Sequence, residues 1–491
     1  MEATNVTEDR NPATEADEQP IKARKNGLYD DVSEELAASM KTGWADTELR
    51  DLRPVAQAPY AAARRAALSA AFPGERLVVP AGNLRTRSND TEYAFRAASE
   101  YVHLTGDQTQ DAVLVLNPAA EGHDAVLYLL PRSNRENGEF WLDGQGELWV
   151  GRRHSLTESE LLLGLPARDV REAVAELTAG TAVPTRLVRG YDAGLDEALD
   201  TDEERDDELK VFLSGLRLVK DEWEVGQLRA ACEATVRGFT DVVRELGQAV
   251  ATSERWIEGT FWRRARVEGN DVGYGTIAAA GPHATTLHWV RNDGDVRPGE
   301  LLLLDAGVET STLYTADVTR TLPINGTFNP LQRKIYDAVL AAQEAGIAAV
   351  RPGAQYRDYH DAAQRVLAEH LLAWGLLDAS VYDVEKVIEL GLQRRWTLHG
   401  TGHMLGLDVH DCAHARREEY VDAELVPGMC LTVEPGLYFQ ADDLTVPEEY
   451  RGIGVRIEDD ILVTADGNEN LSAGLPRTAD EVEGWMAALN G

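Results

Sequence analysis

Three histidines and two aspartates fall within thirteen residues, His399-Gly400-Thr401-Gly402-His403-Met404-Leu405-Gly406-Leu407-Asp408-Val409-His410-Asp411. Imidazole and carboxylate groups at this density are the side chains that ligate divalent metals or move protons. His399 and His403 are four apart, which on a helix would put them on one face. Gly400, Gly402 and Gly406 argue against a helix, because each costs about 1 kcal/mol in a helix interior relative to alanine. The stretch predicts an extended or looped backbone that passes close to something else, such as a ligand or a metal centre. Taken alone, its default reading is a polar surface loop that carries some histidines.

Four other segments put carboxylates on core-type strands. The apolar run Leu301-Leu302-Leu303-Leu304 ends in Asp305. Asp317 lies in the β-branched stretch Thr315-Ala316-Asp317-Val318-Thr319, and Glu434 follows Leu431-Thr432-Val433 and is stopped by Pro435-Gly436. In Val455-Arg456-Ile457-Glu458, a period of two puts Arg456 and Glu458 on one face and the apolar pair on the other. A lone buried carboxylate is very costly, so such acids must be paired or bound to metal. A salt bridge accounts for any one of them. Four acids at strand positions beside a histidine loop are hard to explain by salt bridges alone. Taking Asp305, Asp317, His403, Glu434 and Glu458 as ligands, four negative charges balance two divalent ions. Oxygen-rich ligation with one imidazole suits manganese, with zinc or cobalt as alternatives. Two such ions about 3.5–4 Å apart can share a water and lower its pKa toward neutrality.

These segments resemble the pita-bread metallopeptidases, the family that includes aminopeptidase P and prolidase (M24B). Residues 399–411 resemble its HG-x-GH-x-LGLDVHD block. DAG at 305–307, ADVTRT at 316–321, LTVEPG at 431–436 and RIEDD at 456–460 follow the family's order. One departure is an extra residue between Glu309 and Tyr314, which lengthens a hairpin. The resemblance runs from about Leu216 to the C-terminus. It implies a dinuclear-metal aminopeptidase that releases the residue ahead of proline, with prolidase (Xaa-Pro dipeptidase) as the alternative. A metal-free peptide-binding relative is disfavoured by the intact ligand set. The resemblance also implies roles: Glu434 as ligand and proton acceptor, and His288 and His410 as groups that stabilise the tetrahedral intermediate or orient the proline side. Arg456 would hold Glu458 or a neighbouring carboxylate, with a plain structural ion pair as the competing role. His399 either lines the proline pocket or supports its own loop. His283 reads as a surface residue.

The elements that must position these groups form two parts. The 491 residues suffice for two to four domains. Residues 1–45 read as an acidic, partly disordered arm. Residues 46–210 read as an α/β domain of the creatinase-N type, with a helix over 59–72 and strands at 76–80, 112–116 and 125–130. Asn89-Asp90-Thr91-Glu92-Tyr93 resembles an N-terminal segment of aminopeptidase P. Residues 192–208 carry ten acids and one arginine, read as a solvated helix or linker at the boundary. Residues 215–491 read as an α+β pita-bread catalytic domain. Asp221 caps its first helix, and further helices span 330–350 and 356–374. The net charge of −36 repels phosphate backbones, so no nucleic-acid partner is expected. No apolar run is long enough for a membrane span. Three cysteines without paired spacing, and an acidic N-terminus without an apolar core, predict a cytoplasmic protein. A homodimer or homotetramer is the expected assembly, by resemblance.

Overall fold

The computed structural model describes residues 32–179 and 183–490. The expected disordered arm falls largely on residues 1–31, outside the described residues. The chain divides into two compact units, the second beginning at Lys210.

The first unit is built on a five-stranded mixed sheet. Its order is Ala167–Asp169, His123–Leu129, Val113–Pro118, Arg76–Pro80, Thr185–Leu187. The two outer pairings are parallel and the two inner ones antiparallel. Val78, Val113, Val115, Tyr128 and Leu187 pack its core. The alanine-rich stretch forms helix Ala58–Ala71. From that helix, the buried Arg64 and Arg65 donate to the carbonyls of His103 and Leu104, the end of helix Ser99–Thr105. Cations there satisfy carbonyls that have no partner within the helix.

The acidic stretch 192–208 is largely solvated, as its composition predicts, with Asp206 the one buried acid in it. It forms helix Ala193–Ala198 and opens helix Glu203–Leu216. Asp206 is buried and accepts from the Leu187 N–H, the Arg189 guanidinium and the Thr201 hydroxyl. A carboxylate with three donors can be buried at little cost.

In the second unit the end of helix Glu203–Leu216 is followed by the long helix Glu222–Ala251. Asp221 caps it as predicted and forms a reciprocal capping box with Glu224. Helix Glu254–Glu268 packs beside it, and helices Pro330–Ala349 and Asp358–Ala373 pack on each other. These helices surround short, almost wholly buried antiparallel strands. One sheet has the order Val318–Pro323, Leu301–Ala306, Ile277–Ala280, and another has Cys430–Val433, Asp459–Val463, Asn468–Asn470. Gly436–Phe439 pairs with Ile453–Arg456. No helix among the described residues is long and apolar enough to cross a membrane.

Candidate metal centre and active site

Strand register brings the four acids together. Asp305 pairs opposite Thr319, and Asp317 lies two residues before it. Opposed residues share a face of the sheet, and so do residues two apart, so Asp305, Asp317 and Thr319 look the same way. In the second sheet Val433 pairs with Asp459, and one further step along that register sets Glu434 opposite Glu458. The Glu458 N–H donates to Thr319 O at 3.1 Å and joins the two sheets at the acids. Between Asp305 and Asp317 the chain turns at Leu313, φ +69°, and both flanking aspartates line the cavity described below.

The histidine stretch is extended, as its glycines predict, but the close neighbour is a strand. Leu405 N–H donates to Cys430 O at 3.0 Å, Thr432 N–H to His403 O at 2.9 Å and Glu434 N–H to Thr401 O at 2.7 Å. A Cβ on Gly402 would lie 1.9 Å from Thr432 O. Glycine is therefore required by backbone contact, not by a ligand or metal. At Gly406 a Cβ would meet the Asp411 carboxylate at 2.3 Å. That carboxylate is held by Arg217 at 2.9 Å and by the Leu407 and Cys412 N–H groups. The turn so fixed returns His410 against His403, with ring centroids 4.3 Å apart at 79°.

All nine residues singled out from the sequence line one cavity of about 580 Å³. They are Asp305, Asp317, His403, Glu434, Glu458, His288, His399, His410 and Arg456. Donor atoms of Asp317, His403 and Glu458 lie within 4.8 Å of one another. His403 Nε2 stands 3.3 Å from Asp317 and 3.7 Å from Glu434. Asp305 accepts from the Tyr274 hydroxyl at 2.6 Å and from Arg456 at 2.5 Å. Arg456 therefore pairs with Asp305. It reaches Glu458 only through Thr319, which takes the guanidinium Nε at 3.1 Å and donates to Glu458 at 2.6 Å. His399 both lines the cavity and contacts its own loop, with Nδ1 2.7 Å from Gly400 O and Nε2 2.7 Å from the Tyr438 hydroxyl.

Electrostatics test whether these residues fit divalent ions. Burial pushes the Glu434 carboxyl up to about 7, and Asp317 and Asp305 add to it. Burial and the same neighbours hold Glu458 well above the usual carboxylate range. Asp305 is also raised by burial. Burial pushes the His403 imidazolium down, but Asp317 and Glu434 outweigh it and carry it up to about 9. Burial, with Arg456 nearby, lowers His399 to about 3, and burial with His403 lowers His410. The lining thus offers two cations, Arg456 and His403, against four carboxylates. A buried oxygen-rich cluster with that deficit is a donor set for multivalent hard or borderline cations, so the residues fit the implied metals.

Two tyrosines that hold site residues escaped the sequence reading, Tyr274 in the cavity lining and Tyr438 behind it. Tyr274 lies in a stretch with no recognisable motif. Tyr438 bridges His399 and Arg456, with 3.0 Å to the guanidinium. The period of two from Glu434 could have found it, since 434, 436 and 438 share a face. Its hydroxyl would lie 2.3 Å from a Cβ on Gly436, which explains that glycine. His283 is not a free surface residue. It stacks on Trp289 and contacts the buried Glu254.

Known proteins resemble this chain in sequence and fold. Residues 226–465 match the model of metallopeptidase family M24, and residues 61–181 match that of the aminopeptidase P N-terminal domain. Xaa-Pro aminopeptidase 1 of Streptomyces coelicolor is 73% identical over 480 residues, 97% of each chain. The structure of Pseudomonas aeruginosa aminopeptidase PepP superposes with a TM-score of 0.77 at 31% identity, covering 89% of this chain and 99% of that one. Aminopeptidase P from Escherichia coli with the inhibitor Pro-Leu gives 0.78 at 32% identity, covering 89% of this chain and 99% of that one. With an N-terminal α/β unit and a pita-bread unit carrying the acids and histidines, the chain belongs to the aminopeptidase P branch of metallopeptidase family M24.

Proposed function

We propose that this chain is an aminopeptidase that releases the N-terminal residue from peptides with proline in second position. One observation carries the reading. Nine side chains chosen for metal and proton chemistry line one cavity, in a chain 73% identical to a relative named Xaa-Pro aminopeptidase. Asp305, Asp317, His403, Glu434 and Glu458 would hold two divalent ions, which when bound polarise a carbonyl and lower the pKa of water. The oxygen-rich set favours manganese, with zinc or cobalt as alternatives.

The chain's own groups then divide the work. Glu434 lies 3.5 Å from His399 and 3.7 Å from His403 and would take the proton of the attacking water. His288 and His410 stand on the exposed cavity wall and can donate to the oxyanion or hold the proline side. Arg456 fixes Asp305, and with Tyr438 it fixes the His399 ring. An Xaa-Pro bond is a tertiary amide whose ring offers no N–H. Ile277, Leu287, Val290 and Val409 give the cavity apolar walls suited to that ring.

Prolidase is the second reading, and the relatives' names favour aminopeptidase P. Incubation with Arg-Pro and with Arg-Pro-Pro separates the two. Free arginine from the tripeptide supports the proposal, and cleavage of the dipeptide alone makes the chain a prolidase. The same reading includes a cytoplasmic location, suited to three buried free cysteines, and a homodimer or homotetramer. It assigns residues 1–45 to an arm, 46–210 to the N-terminal domain and 215–491 to the catalytic domain.

A further inference from the structure

Glu254 opens helix Glu254–Glu268 and is completely buried. Its Oε1 accepts from the Ala280 N–H at 2.8 Å and from His283 Nδ1 at 2.8 Å. Its Oε2 accepts from the Trp289 indole N–H at 2.8 Å and from the Gly294 N–H at 2.7 Å. Four donors fill a carboxylate's acceptor sites. All four come from residues 280–294, the segment that carries His288. The Glu254 N–H also donates to Gly294 O at 3.0 Å, so the far end of that segment is tied to the same helix terminus.

Trp289, next to His288, is the centre of this arrangement. Its ring stacks on His283 with centroids 3.8 Å apart at 20°, and the Arg291 guanidinium lies 4.8 Å from it. Val290 N–H donates to His288 O at 3.0 Å, so the backbone turns tightly through Trp289. Asn292, buried with φ +47°, accepts from the Ala278 N–H and donates to Thr276 O, both at 2.9 Å. His288 itself is exposed at the cavity, in a stretch without strand pairing. Its placement depends on what holds its neighbours.

We propose that Glu254, acting through the Trp289 indole, is a positioning residue for His288. Glu254 and Trp289 are outside the cavity lining, so their influence on the reaction passes through the histidine. The inference rests on the proposed role of His288 in Xaa-Pro cleavage.

A double-mutant cycle on the metal-loaded full chain tests it, with kcat and KM on Arg-Pro-Pro, metal content and Tm measured for each variant. Trp289→Phe removes the indole N–H and keeps an aromatic face for His283. It is expected to lower kcat about tenfold or more, as misplacing a reacting group does, with KM and metal content unchanged. His288→Ala lowers kcat further, and His288→Ala/Trp289→Phe falls no lower than His288→Ala alone. Glu254→Gln, which turns an amide N–H toward two donors, follows the same pattern with a larger loss. Wild-type kcat in Trp289→Phe overturns the inference, as does a full further loss in the double variant. Wild-type kcat in His288→Ala also overturns it, while the parent chain's own cleavage of the tripeptide separately decides the aminopeptidase reading.

Discussion

Glu458 and His410 line the same cavity but differ in what holds them. Glu458 is 1% exposed, bonded to Thr319 and set opposite Glu434 by strand register. His410 is exposed at the end of a turn and touches the cluster through the edge of His403. Glu458→Ala should therefore lose metal stoichiometry and activity together. His410→Ala should keep both metals and the fold while kcat falls by about 10²–10⁴, the range for losing a positioned acid or oxyanion donor. Metal analysis beside kinetics on one Xaa-Pro tripeptide separates them. Loss of a metal in His410→Ala would make that histidine a ligand. Eight of the nine residues were legible because each sits in a dense local motif, and His288 was legible only through the family resemblance. Tyr274 was not legible, since its contact with Asp305 spans 31 residues and leaves no mark in its own neighbourhood.

At the scale of elements, the strands were legible from apolar runs that end in acids. The partner chosen by each close-approach glycine was not. Gly402 is pressed against Thr432 O through the pairing that brings His403 beside Glu434. Gly402→Ala is expected to cost about 1–3 kcal/mol or more as overpacking and to weaken metal binding by moving His403. Denaturant melts and metal titration measure the two effects, and parent-like values in both would show that the pairing yields freely. Composition read the stretch 192–208 correctly as solvated and helical but could not single out its one buried acid. Charge counts show which residues are acidic but not which of them accepts three hydrogen bonds, as the buried Asp206 does. Arg456 was placed on the correct face by the period of two. Its partner, Asp305, comes from a strand some 150 residues away and could be found only from the fold.

Across the whole molecule, acid sensitivity should reside partly in the N-terminal unit. Burial pushes the Glu158 carboxyl up, but Arg152, the Leu49 and Ser155 N–H groups and His154 together draw it down to about 2. A depressed carboxylate stabilises the fold above its ordinary value of 4.5, and that stability is lost as pH falls toward about 2. Glu158→Gln should flatten the loss of stability in this window, and an unchanged acid-unfolding curve would rule the group out. The division into two units and the class of each were legible because the motifs lie in one unit and the α/β alternation in the other. Five side chains are proposed to hold divalent metal for removal of a residue ahead of proline. The most direct test of that role is arginine release from Arg-Pro-Pro, and from its N-acetylated copy, by the chelator-stripped chain before and after manganese is restored. No release is expected from the stripped chain, with recovery on manganese at about two equivalents bound and an untouched acetylated peptide. Full release by a verified metal-free sample would contradict it.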